Sequence, residues 1–107
     1  MDEREFNTLA DAMLRRIENA LDAAADLADI DLEVKPGGVL ELEFADRSKI
    51  IVNRHTAARE IWVAARSGGY HFRPEAGRWL SSRDGEELMA ALSRCVSDQA
   101  GESLTLE

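Results

Sequence analysis

The hydrophobic period of this chain changes twice, and those changes restrict its fold more than any other feature. Over residues 3–25 the apolar side chains Phe6, Leu9, Ala10, Met13, Ile17, Ala20, Leu21 and Ala24 recur at three- and four-residue steps. A helix gathers that spacing into one stripe for burial. Arg15 stands four residues after Asp11, a spacing that predicts a pair on the helix surface. From residue 29 the period falls to two. Ile30, Leu32 and Val34 alternate with Asp29, Asp31 and Glu33, and Leu40, Leu42 and Phe44 alternate with Val39, Glu41 and Glu43. Alternate side chains of a strand point to opposite faces, so each run has one apolar face and one acidic face. Pro36-Gly37-Gly38 supplies the turn between them, and Ala45-Asp46-Arg47-Ser48 a hairpin connection. Further strands are predicted over 49–53, 60–65, 69–72 and 78–81, with Gly68-Gly69 as a turn. The helical period then returns in Leu88, Ala91, Leu92, Cys95, Val96 and Gln99. Asp84 with Glu87 three residues on predicts the cap of that helix, and Gly101 fits its stop. Leu104 and Leu106 alternate in the tail and are expected to lie against the body.

The order is therefore helix, five or six strands, helix. Two helices of this length cover only one face of such a sheet, and an antiparallel sheet tolerates water on the other. The expected fold is α+β, one domain over residues 1–107. Its open sheet face would carry Glu41, Glu43, Asn53 and Trp62.

Charge narrows the partners. In 107 residues there are 21 acidic and 13 basic side chains, a formal net charge of −8. A nucleic-acid surface needs clustered Lys and Arg, so none is expected. Basic proteins and hard cations are favoured instead. The single cysteine, Cys95, excludes an internal disulfide or a thiolate metal cluster, and its place on the apolar stripe predicts a buried, inert thiol. The acidic start, Met1-Asp2-Glu3-Arg4-Glu5, is unlike a targeting peptide, and no apolar run approaches the roughly 20 residues of a membrane span. A cytoplasmic protein with no membrane contact is expected.

The densest feature is a run of carboxylates, Glu18, Asp22, Asp26, Asp29, Asp31 and Glu33, from the end of the first helix along the outward side of the first strand. It is either a solvated face or a ridge for a cation or a basic partner. All its donors are oxygen, which suits hard ions such as Fe³⁺, Ca²⁺, Mg²⁺ or Mn²⁺, bound weakly at several positions. Trp62 is the second feature: alternation places it on the open face opposite Asn53, with Arg54 and His55 at the strand end. It is either a contact platform for a partner or, with the strand phase inverted, a core side chain. Trp79 reads as structural. His55 and His71 are too few for a metal triad, and Ser81 and Ser82 lack a His–Asp arrangement for nucleophilic work.

Taken in order, EFNTLAD (5–11), DIDLEV (29–34), SKIIVNR (48–54), EIWVA (60–64), SGGYHF (67–72), WLSSRDGEEL (79–88) and QAGESL (99–104) resemble the bacterial frataxin (CyaY) family over nearly the whole chain. The resemblance implies a frataxin-like α-β-α sandwich, with two terminal helices packed on one face of a five- to six-stranded antiparallel sheet. It also implies an iron-binding protein of iron–sulfur cluster assembly. Such a protein is a regulator or iron donor, not an enzyme, and binds the cysteine desulfurase and the scaffold protein through an acidic ridge. Carried over by position, that ridge is Glu18, Asp22, Asp26, Asp29, Asp31 and Glu33, holding Fe²⁺ or Fe³⁺ weakly. The partner face is Asn53, Arg54 and Trp62. A monomer is implied, with oligomers if metal induces them. Here Asn19, Ala23, Ala25 and Leu27 thin the ridge, and His55 stands where the family usually has Gln. Two alternatives stand beside this expectation: a ferroxidase, for which neither helix offers a Glu-x-x-His pair, and a metal-independent acidic adaptor.

Overall fold

In the computed structural model, which describes residues 1–107, both changes of period are changes of secondary structure. Helix α1 (Glu3–Ala25) is followed by strands β1 (Ile30–Lys35), β2 (Val39–Phe44) and β3 (Lys49–His55). A 3₁₀ turn (Thr56–Ala58) leads to β4 (Glu60–Ala65), β5 (Gly68–Glu75), β6 (Arg78–Ser81) and α2 (Leu88–Ala100). The six strands form one antiparallel sheet in chain order, each hydrogen-bonded to its sequence neighbours.

Both helices bury their stripes against the same face. Phe6, Ile17 and Leu21 of α1 and Leu88, Leu92 and Val96 of α2 share one core with Leu42, Ile50, Val52, Ile61, Val63 and Phe72 of the sheet. Trp79 is buried in that core, edge-on to Phe6 at 5.9 Å, and Cys95 is buried in it too. Of the five or six strands expected, six form, with the two helices packed on one face as expected. The tail closes one side: Ser97 Oγ accepts from the Leu104 amide at 2.9 Å, Ser93 Oγ accepts from the Leu106 amide at 2.8 Å, and Leu106 is buried. No helix is long and apolar enough to cross a membrane.

Several local expectations give way to longer-range contacts. Helix α2 is capped by Glu87, whose carboxylate accepts from the Met89 and Ala90 amides at 2.9 and 3.3 Å, and not by Asp84. Asp84 instead accepts from the Glu86 amide at 3.0 Å. The cause lies in β6: Ser81 donates to the Glu86 carbonyl and Leu80 bridges to Glu87, so the chain stays extended until Leu88. Strand β5 begins at Gly68, so the β4–β5 turn sits on Arg66 and Ser67. Asp11 pairs with Arg54 across the fold and not with Arg15. Val34 is 56% exposed, because α1 leaves the far end of the edge strand β1 uncovered.

Gln99 shows how α2 is anchored. It is buried, accepts from the Arg66 amide at 3.0 Å and donates to Ser48 Oγ at 3.0 Å and the Lys49 carbonyl at 3.2 Å. One side chain thus ties the helix to two sheet turns.

The buried stripe of α1 is also rotated from its expected limits. Leu9 is 42% exposed, while Leu14 is buried. With Ile17 at the centre of the stripe, Leu9 lies roughly 80° to one side and Leu14 about 60° to the other at 3.6 residues per turn. Leu14→Ala should therefore cost about 2–3 kcal/mol in urea denaturation, and Leu9→Ala under about 0.5 kcal/mol. Equal costs would place the stripe wrongly.

Candidate functional site

Two regions emerge, one at the sheet edge and one on its open face. At the edge, Glu18 and Asp22 project from α1, Asp26 caps its C-terminus, and Asp29 immediately precedes β1. Asp31 and Glu33 are exposed on β1. Helix α1 has no basic residue in its last turn, so the negative end of its dipole adds to the carboxylates there.

None of these six carboxylates forms an ion pair. Several carboxylates elsewhere do. Asp46 and Asp98 share Arg66 at 3.0 and 3.3 Å, and Glu86 holds Arg94 at 2.9 Å. The contrast is sharpest on the β1–β2 ladder, where Asp31 faces Glu43 and Glu33 faces Glu41. Lys35 reaches Glu41 at 3.2 Å, and Lys49 approaches Glu41 and Glu43 at 3.7 and 3.9 Å. The lysines offset the β2 carboxylates and leave those of β1 without a partner. No three His, Cys, Asp or Glu side chains converge closely enough to hold a metal ion, so the ridge is a row of separate oxygens and not a coordination shell.

On the open face, Asn53, Trp62 and His71 stand opposite one another across β3, β4 and β5. Trp62 therefore lies outside the core, opposite Asn53. Its indole is sandwiched, with the His55 ring at 3.9 Å and 12° on one side and the His71 ring at 4.4 Å and 9° on the other. The indole Nε1 donates to Glu60 Oε1 at 2.8 Å, and Arg73 Nε donates to Glu60 Oε2 at 3.0 Å. His71 Nδ1 lies 3.7 Å from Glu60 Oε1.

Glu60 has only 8% of its side chain exposed. That burial is the strongest single influence and opposes ionisation. The hydrogen bonds from Trp62 and Arg73 and the charges of Arg73 and His71 together outweigh it and hold the carboxyl below its ordinary 4.5. A lowered value means that Glu60 stabilises the fold above its ordinary range, and that this contribution is lost as pH falls through the lower folded value.

Arg54 does not join Asn53 and Trp62. Its alternation on β3 turns it to the helix side, where it meets Asp11. Glu60, His55, His71 and Arg73 are the open-face residues that sequence reasoning did not assemble. Alternation puts 60 with 62 and 71 with 73, but only the strand register brings the two pairs and His55 together.

The frataxin-like domain model matches residues 1–102 of the chain. The iron-sulfur cluster assembly protein CyaY of Dechloromonas aromatica (strain RCB) is 59% identical over 106 residues, covering 99% of each chain. The protein of the same name from Ralstonia nicotianae is 54% identical over 107 residues, covering 99% of this chain and 95% of that one. Among solved structures, frataxin from Psychromonas ingrahamii matches with a TM-score of 0.86 and 30% identity over 98% of this chain and 97% of that one. Trimeric frataxin from Saccharomyces cerevisiae, in its ferrous complex, matches with a TM-score of 0.77 and 26% identity over 88% and 87%. Sequence likeness over the whole length and a shared two-helix, six-stranded fold lead to one conclusion: the chain belongs to the frataxin-like (CyaY) family.

Proposed function

We propose that this protein acts in iron–sulfur cluster assembly as a regulator and iron donor, its 107 residues working as one cytoplasmic domain. Glu18, Asp22, Asp26, Asp29, Asp31 and Glu33 bind Fe²⁺ or Fe³⁺ weakly, as cargo, and dock the ridge onto a basic surface of a cysteine desulfurase. Asn53 and Trp62 engage the assembly complex, including the scaffold protein. Arg54 serves that face from behind, by holding β3 to α1 through Asp11. The observation that carries this reading is the absence of any internal counter-charge on the ridge. Its support outside the chain is the name borne by the relatives and the ferrous complex of the yeast frataxin.

The chemistry follows from the donor set. Carboxylate oxygens are hard ligands matched to iron, calcium, magnesium and manganese more than to copper or zinc. Because no three of them converge, each ion meets few protein oxygens and exchanges readily. That suits delivery more than storage, and a ferroxidase reading has no preassembled donor set behind it. Without metal the protein is a monomer; an ion shared between the ridges of two copies would join them.

Anaerobic Fe²⁺ added to the ¹⁵N-labelled protein should broaden the amides from Glu18 to Glu33 first, and Asp22→Asn with Asp29→Asn and Asp31→Asn should remove that broadening. A metal-independent adaptor would show none in this span. Docking should also be screened. Raising ionic strength from about 0.01 M to about 0.15 M shortens the Debye length from about 30 Å to about 8 Å. Affinity for the desulfurase, measured by calorimetry, should then fall roughly tenfold. Affinity indifferent to salt would rule out electrostatic docking.

A further inference from the structure

Strand β1 is an edge of the sheet, and part of its main chain has no partner. In an antiparallel ladder the N–H and C=O of one residue point to the same side, and that side alternates along the strand. Strand β2 fixes the phase. The Phe44 amide donates to the Ser48 carbonyl at 2.9 Å, the Phe44 carbonyl accepts from the Arg47 amide at 2.9 Å, and the Gly38 carbonyl accepts from the Arg54 amide at 2.8 Å. Leu40, Leu42 and Phe44 thus turn their main-chain groups to β3, and Val39, Glu41 and Glu43 turn theirs to β1. The register partners of those three are Lys35, Glu33 and Asp31, which use their main-chain groups on β2. Leu32 and Val34 are left pointing away from the sheet. No hydrogen bond from elsewhere in the chain reaches the N–H or C=O of either.

The two faces of this edge favour different neighbours. On the open face, Asp31 and Glu33 are exposed and unpaired, and Lys35 beside them is turned to Glu41 at 3.2 Å. A strand laid along β1 sets side chains directly opposite both carboxylates. On the helix side lie half-buried Leu32 and exposed Val34, the latter lining a groove with Leu14, Arg15, Glu18 and Leu40. Arg15 and Glu18 bring opposite charges to that groove, so it favours an aliphatic side chain beside Val34. A second copy of this chain does not fit. Paired antiparallel about Leu32, two β1 strands set carboxylate against carboxylate.

We propose that an extended segment of a partner protein, alternating Lys or Arg with aliphatic residues, adds to β1 as a further antiparallel strand. Its aliphatic residues stand opposite Leu32 and Val34 and exchange main-chain hydrogen bonds with them, and its basic residues stand opposite Asp31 and Glu33. This rests on the proposed docking of the ridge onto a basic surface and adds how that contact is made, by main-chain pairing as well as by charge. Pairing fixes one register for the partner, which a row of exposed carboxylates alone does not.

The probe is the peptide Lys-Val-Lys-Val-Lys-Val-Lys, added to saturation at low salt to the whole ¹⁵N-labelled protein. Solvent exchange of the Leu32 and Val34 amides should slow roughly threefold or more, while Asp31, Glu33 and Lys35, already bonded to β2, change less. N-methylating the peptide's valines removes the donors that face β1 and should weaken binding roughly tenfold. N-methylating its inner lysines, whose amides point away, leaves the charge and should leave the affinity within about twofold. Val34→Pro removes a donor that β2 does not use, so it should weaken the peptide while the amide spectrum away from β1 stays that of the parent. Binding without slowed exchange at Leu32 and Val34, or equal affinity of the two methylated peptides, would overturn strand addition. The cysteine desulfurase, measured with Asp31→Asn/Glu33→Gln, separates the two readings. Affinity lost in that variant, with no slowing at Leu32 and Val34 when the desulfurase binds the parent, sinks this inference and keeps the ridge as a docking surface. Slowing by the peptide, with desulfurase affinity unchanged in the variant, supports strand addition and removes the desulfurase as the ridge's partner.

Discussion

Asp31 and Glu33 stand directly across an antiparallel ladder from Glu43 and Glu41, a placement in which like charges weaken a strand pair. The fold answers on one side only. Lys35 and Lys49 reach the β2 carboxylates, and nothing basic reaches β1. The same holds along α1. Arg15 forms no ion pair, and Arg16 is drawn to the Glu107 carbonyl at 3.3 Å, although both lie within a turn of Glu18. Basic side chains are available, then, but they neutralise Asp11, Asp46, Glu60, Glu86 and Asp98, away from the ridge. The remaining charge is tolerated because the core between sheet and helices is continuous and the ridge is exposed, where water screens repulsion.

That imbalance organises the functional reading. A row of oxygens without a shell can hold iron only loosely, and a protein that delivers a metal gains from loose binding. The same row is complementary to a basic surface. In the proposed function the two roles use the same atoms, which would give a physical route from metal load to partner contact. Across the sheet the logic is reversed: a buried carboxylate, Glu60, is fully engaged, and it fixes the orientation of an indole and a guanidinium that face outward. One sheet thus carries two surfaces, the unpaired carboxylates at β1 and the engaged Trp62 face on β3, β4 and β5.

The ridge was legible in the sequence because every part of it is local. Helical spacing puts Glu18 and Asp22 on one flank, and a period of two puts Asp31 and Glu33 on one side of a strand. The helix and strand identities were legible for the same reason. What sequence could not supply were relations between distant segments. The β6 bridge to Glu87 delays α2 past its apparent cap at Asp84. A contact from β3 takes Asp11 away from Arg15. The stack needs the register of three strands, which no residue in them specifies alone. The resemblance to frataxins pointed to Asn53 and Trp62 as a partner face, but not to the two histidines that hold the indole.

The central claim, that negative charge on the ridge is left unrelieved by the fold, has a direct thermodynamic test. The stability of Asp31→Asn/Glu33→Gln is compared with that of the parent by urea denaturation across a salt series. Removing unrelieved repulsion should make the variant more stable by about 0.5–1 kcal/mol at low salt, with the difference shrinking as salt rises. A variant equally or less stable at low salt would mean that the fold already satisfies those charges, and the account would be wrong.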